Sequence, residues 1–75
     1  HPSAQNKLGL SYFLGIGVPQ DYISSHVWLN ISSANGNKDA ADSRDRVARY
    51  LTEPDISEAQ RRASVCISSG YQNCD

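Results

Sequence analysis

The side chains best suited to chemistry gather around His26. Asp21, Ser24 and Ser25 precede it closely, which are the residue types of a serine hydrolase. That chemistry needs a nucleophile bonded to a base, a third group orienting the base, and an oxyanion hole. No nucleophile elbow or similar strained turn holds any of these serines. His26 is therefore expected to be a surface or half-buried helix residue. Gly15-x-Gly17 invites a phosphate-cradling reading, but it follows a helix rather than a strand and lacks a third Gly or a Lys-Ser/Thr. Glu53, Asp55 and Glu58 fall at a helix start, where acidic side chains complement the positive end. Asn30-Ile31-Ser32 matches the glycosylation sequon, yet its mid-helix place beside Trp28 marks a chance match. Cys66 and Cys74 have no Cys-x-x-Cys spacing and no nearby His, so neither a zinc site nor any other cofactor is expected.

Composition narrows the class. Seventy-five residues make one small domain, near the limit at which a single core sustains itself. The net charge of −1 offers no footprint for nucleic acid, and no basic patch suits an anionic membrane surface. Only Lys7 and Asp21 are charged before Lys38, whereas the other thirteen charges follow in mixed signs. That division separates a neutral, packed first half from a solvated second half. No apolar run reaches the length of a membrane span.

Four helices must position these residues. The first spans about Pro2 to Leu14, with Ala4, Leu8 and Tyr12 as an i, i+4, i+8 stripe. Gly15 to Pro19 breaks it. The second runs from about Asp21, its N-cap, to Ala34, with Gly36 at C′ and Tyr22, Ser25, Trp28-Leu29 and Ser32 as its stripe. The third is expected from about Lys38 to Leu51, with Ala40-Ala41, Arg44, Val47-Ala48 and Leu51 on one face. Asp42→Arg46 and Asp45→Arg49 form i, i+4 ion pairs there, each contributing about 0.2–0.5 kcal/mol. Thr52-Glu53-Pro54-Asp55 starts the fourth helix, whose buried stripe is Ile56, Ala59, Ala63 and Cys66-Ile67, ending at Gly70. Ala4-Gln5 and Ala40-Ala41 hold equivalent places about 36 residues apart, the period of an α/α repeat.

The run Ala4, Leu8-Gly9, Tyr12, Gly15, Gly17-Val18, Asp21, Trp28 and Gly36 resembles the Sel-one-like repeat family, a branch of the tetratricopeptide-like α/α solenoids. The family pattern is Ala-x-x-x-Leu-Gly-x-x-Tyr-x-x-Gly-x-Gly-Val-x-x-Asp-x-x-x-Ala-x-x-Trp-x-x-x-Ala-Ala-x-x-Gly. The chain departs from it at Ser25, Ser32 and Ser33, where the family favours Ala. Those hydroxyls are expected to bond a carbonyl one turn back. Arg44 to Ala48, a Thr-and-Pro turn, and Ile56 to Gln60 are similar to the closing segment of bacterial proteins built from such repeats. His1 resembles the junction residue that follows a Gly between successive repeats.

The resemblance implies an all-α fold of two stacked antiparallel helical hairpins in a right-handed α/α solenoid. Residues 1–36 would be one Sel-one-like repeat, and residues 37–75 a degenerate C-terminal capping hairpin with a tail. In such a fold Gly9 and Ala4 admit the partner helix, while Leu8, Tyr12 and Trp28 fill the groove between the pair. The expected function is non-enzymatic, a protein-protein interaction scaffold that takes a protein or peptide partner. The alternatives are a structural end-cap without a binding role and a small hydrolase centred on His26. Asn6, Lys7, Leu10 and Phe13, on the first helix and free of the repeat pattern, are the candidate contact surface. The apolar pair, Leu10 and Phe13, would pack on a preceding repeat or touch the partner. Without that repeat, the exposed N-terminal face implies self-association or only marginal stability. Cysteine-rich family members staple one hairpin to the next at the Cys66–Cys74 separation, and a reversal at Gly70-Tyr71 would bring the two within reach. A bridge implies the bacterial periplasm or secretion; the alternative is a buried thiol and a free tail thiol in a reducing cytosol.

Overall fold

Capping residues in the sequence fix where each helix begins. The computed structural model describes residues 1–74, which form α1 (Pro2–Leu14), α2 (Tyr22–Ala34), α3 (Lys38–Ala48) and α4 (Glu53–Ser68). Asp21 caps α2 by accepting from the Ser24 N–H, and Thr52 caps α4 by accepting from the Asp55 N–H. The α3 cap is Asn37, whose side chain accepts from the N–H groups of Asp39 and Ala40. The chain is thus all-α, with no strand among the described residues.

α3 ends at Ala48, three residues before its expected limit. Its last turn tightens, with Arg49, Tyr50 and Leu51 donating to carbonyls three residues back. The expected Asp42–Arg46 and Asp45–Arg49 ion pairs are absent. Among the described residues the ion pairs are Arg44–Asp45 at 3.2 Å and Glu58–Arg61 at 2.7 Å. Arg44 takes Asp45 because the same guanidinium also donates to Asn30 Oδ1 on α2, which fixes it beside that carboxylate.

α2 is the central helix, and α1, α3 and α4 each pack on it rather than chiefly on one another. α1 and α2 run antiparallel: Ser32 Oγ donates to the Pro2 carbonyl, Leu29 meets Gly9, and the Asp21 N–H donates to the Tyr12 carbonyl. A Cβ at Gly9 would lie 2.7 Å from Leu29 Cγ, so glycine permits this helix approach. Two apolar clusters result. Leu29, Ala40 and Val47 join α2 to α3, with Phe13, Tyr22 and Leu51 against them. Val27, Ile31, Ala59, Ala63 and Cys66 join α2 to α4, with Ile23, Trp28 and Cys74 against them.

Several expected core positions differ. Ala4 and Ile67 are exposed, whereas Ile23, Val27 and Ile31 form a second apolar stripe on α2. With neighbours on several sides, α2 needs more than one apolar face. The serine hydroxyls also depart from expectation. Ser32 reaches across to α1 instead of its own helix, and the buried Ser25 Oγ has no partner.

Candidate functional site

His26 is buried, not surface-exposed or half-exposed as its sequence context implies, because α2 is enclosed by its neighbours. Its Nδ1 has no hydrogen-bond partner. Ser24 turns away from it: its hydroxyl lies 2.8 Å from Asp21 Oδ2 and accepts from Arg62 of α4 at 3.3 Å. Asp21, Ser24 and Arg62 therefore lock α4 to the start of α2. Partial burial pushes the Asp21 carboxyl up, but hydrogen bonds from Ser24 and Ile23, with the Arg62 charge, outweigh it and hold the group below its usual value. Burial and then the Arg44 charge push the His26 imidazole down, against the opposing pull of Asp45.

An expected pH response follows. The folded chain holds His26 neutral where an unfolded chain would protonate it, so its contribution is complete above about pH 6.5 and is lost as pH falls. Asp21 acts in a lower window: its contribution persists above pH 3.8 and is lost as pH falls through its depressed folded value. The urea midpoint should therefore be lower at pH 5 than at pH 7.5. His26→Phe should flatten that difference. An unchanged difference in the variant would disprove the assignment to His26.

The larger concavity lies elsewhere. A groove of about 950 Å³ runs between α1 and residues 71–74, with Trp28 of α2 in its lining. Ala4 and Leu8 form its α1 side, and Tyr71, Gln72, Asn73 and Cys74 the other. Trp28 is half-buried and packs on the cluster that holds Cys66 and Cys74, so it serves both core and groove. The tail wall is held by a Cys66–Cys74 disulfide with a Cα–Cα distance of 4.3 Å. Gly70 and Tyr71 are both left-handed, with φ of 66° and 68°, and the Tyr71 N–H donates to the Cys66 carbonyl. This reversal returns Cys74 to Cys66. Asn35 Nδ2 donates to Gln5 Oε1 at 3.0 Å and to the Tyr71 hydroxyl at 2.8 Å, tying both walls to the end of α2. Apart from His1, the described residues that line the groove bring no ionisable group other than the Tyr71 phenol.

The sequence-expected contact residues divide. Lys7 and Leu10 are exposed, while Asn6 is half-buried with its Oδ1 unpartnered. Phe13 packs its ring on Tyr22 and Tyr50, at centroid distances of 5.4 and 5.3 Å. Leu10 and Phe13 line a separate cleft against α3. The groove went unnoticed in the sequence because its tail wall depends on the bridge. The signal available was a cysteine pair, Cys66 and Cys74, in the same short chain as Trp28. Asn30 of the sequon is half-buried and its Oδ1 accepts from Arg44.

Compared with protein-family models, curated proteins and solved structures, the chain matches none of them. No group of three or more His, Cys, Asp or Glu side chains among the described residues is arranged to hold a metal ion. No helix among them is long and apolar enough to cross a membrane.

Proposed function

We propose that this chain is a non-enzymatic protein-interaction scaffold, the terminal part of a right-handed α/α solenoid of the Sel-one-like kind. It holds an extended peptide segment of a partner protein in the groove between α1 and the disulfide-held tail. The observation that carries this reading is the groove itself, with an indole in its lining and Gln5, Asn35, Tyr71 and Asn73 around it. An apolar surface bordered by amides suits a peptide, which offers alternating side chains and backbone donors and acceptors. The near-neutral lining that the described residues give the groove favours uncharged segments over polyanions. Against a hydrolase at His26, the Ser24 hydroxyl is engaged with Asp21 and Arg62. The disulfide fits an oxidising compartment, and we place the protein in the bacterial periplasm or outside the cell. Self-association is a second reading, supported by the exposed side chains of Leu14 and Ile16. Sedimentation over a concentration series tests it.

Trp28 is the only Trp and reports on the groove directly. Peptides selected from a displayed random library should change its emission on binding. Asn35→Ala with Tyr71→Ala should weaken them about tenfold or more, through loss of polar contacts and of the tail's position. Failure to select any binder, or binders that leave Trp28 emission and affinity unmoved in the variant, would favour the end-cap alternative.

A further inference from the structure

On the other flank of α1 lies a cleft of about 330 Å³ between α1 and the C-terminal half of α3. Helical spacing places Ala4 and Leu8 on one side of the Gly9 line that meets α2, and Leu10 and Phe13 on the other. The cleft is therefore separate from the Trp28 groove. Leu10, Phe13, Val47 and Tyr50 supply its apolar lining, and Leu10 and Tyr50 are 36% and 58% exposed. Phe13, Tyr22 and Tyr50 form a three-ring cluster, with 5.1 Å between the two tyrosine centroids, which fixes the cleft wall.

Two cations border this apolar surface. Arg46 and Arg49 both line the cleft, and among the described residues no Asp or Glu lines it. Among the described residues neither guanidinium has a carboxylate within ion-pair distance, although Asp42 and Asp45 stand at the helical spacing that would allow one. The nearby α3 C-terminus carries a partial charge of only about −0.5, less than the two full positive charges. A guanidinium pair beside an apolar recess matches a ligand with carboxylates on both sides of one apolar anchor. The volume sits at the small end of ligand pockets, suited to an anchor side chain rather than a whole cofactor.

We propose that the Leu10–Tyr50 cleft is a second docking site, and that it takes an acidic peptide segment of a partner protein. An aliphatic or aromatic side chain of that segment enters between Leu10 and Tyr50, and its flanking carboxylates pair with Arg46 and Arg49. The two grooves then let one small domain hold two segments, one near-neutral and one acidic. The net charge of −1 and the small number of cations at the cleft, Arg46 and Arg49, favour a short acidic segment over nucleic acid.

The probe is a fluorescein-labelled Glu-Glu-Leu-Phe-Glu-Glu peptide, followed by anisotropy with the full chain. Saturable binding that weakens with salt is expected. Arg46→Ser with Arg49→Ser should weaken it about tenfold or more, and Leu10→Ser should do likewise. Both arginines and Leu10 are exposed, so circular dichroism and the thermal midpoint should stay close to those of the parent chain. A Trp28→Phe variant should bind the probe unchanged, which separates this site from the groove. Equal affinity in the arginine variant, or no binding at all, would overturn the proposal. So would equal binding of Lys-Lys-Leu-Phe-Lys-Lys, or tighter arginine-dependent binding of a labelled single-stranded oligonucleotide. A dimer in sedimentation that Leu10→Ser abolishes would assign the cleft to a second copy and likewise overturn it. Any of these failures leaves the reading of the Trp28 groove standing.

Discussion

Leu29→Ala is expected to destabilise the chain by about 2–5 kcal/mol, and the sign of Gly9→Ala should then depend on it. Leu29 is fully buried where α1, α2 and α3 meet. A chain of this length has a total stability of only about 4–11 kcal/mol, so the truncation removes a large share. In the parent chain, a Cβ at Gly9 would meet Leu29 Cγ at 2.7 Å, Cδ2 at 2.8 Å and the backbone N at 3.2 Å. Cγ is not the free end of the side chain, and Leu29 is fully buried. Overpacking of about 1–3 kcal/mol should therefore exceed the helix-propensity gain of about 1 kcal/mol. In the Leu29→Ala background the same methyl enters the vacated space, and Gly9→Ala should stabilise. Urea unfolding of the two single variants and the double variant measures this coupling. Equal costs for Gly9→Ala in both backgrounds would rule out close helix approach as the role of Gly9.

Cys74→Ser should cost about 2–3 kcal/mol. The bridge joins residues eight apart in sequence, and closing so small a loop removes chain entropy from the unfolded state by about that amount. The variant isolates this effect because Cys66, the fully buried partner, keeps its place in the α2–α4 cluster. A dithiol reductant acting on the parent chain should reproduce the loss reversibly. Cys74 packs on the cluster that also receives Trp28, so release of the tail should shift the indole emission to the red. An unmoved urea midpoint with unmoved emission would mean that the bridge holds neither the fold nor the groove wall.

Local signals in the chain located most of the helices. Asp21, Thr52 and the glycines around them act within a turn or two, so their effects can be read without knowing what packs nearby. The end of α3 was less legible, because nothing between Ala48 and Leu51 forbids helix and the final turn tightens only in the folded chain. One of the expected ion pairs on α3, Asp45–Arg49, failed for a related reason. Arg44 is held by Asn30 from another helix, and that contact redirects Asp45. The Leu10–Tyr50 cleft was half visible: Leu10 and Phe13 stood out as apolar residues without a repeat role, but their α3 neighbours did not.

By itself the sequence determined four helices, the N-caps Asp21 and Thr52, and a pair of cysteines separated by a turn that reverses the chain. Only the tertiary structure decided that α2 lies at the centre, that His26 is buried there, and that the tail closes a groove beside Trp28. The physical reason is range. Caps and turn residues act through bonds a few residues long, whereas burial and grooves depend on which distant side chains meet, and α2 carries two apolar stripes whose separate partners neither stripe names alone.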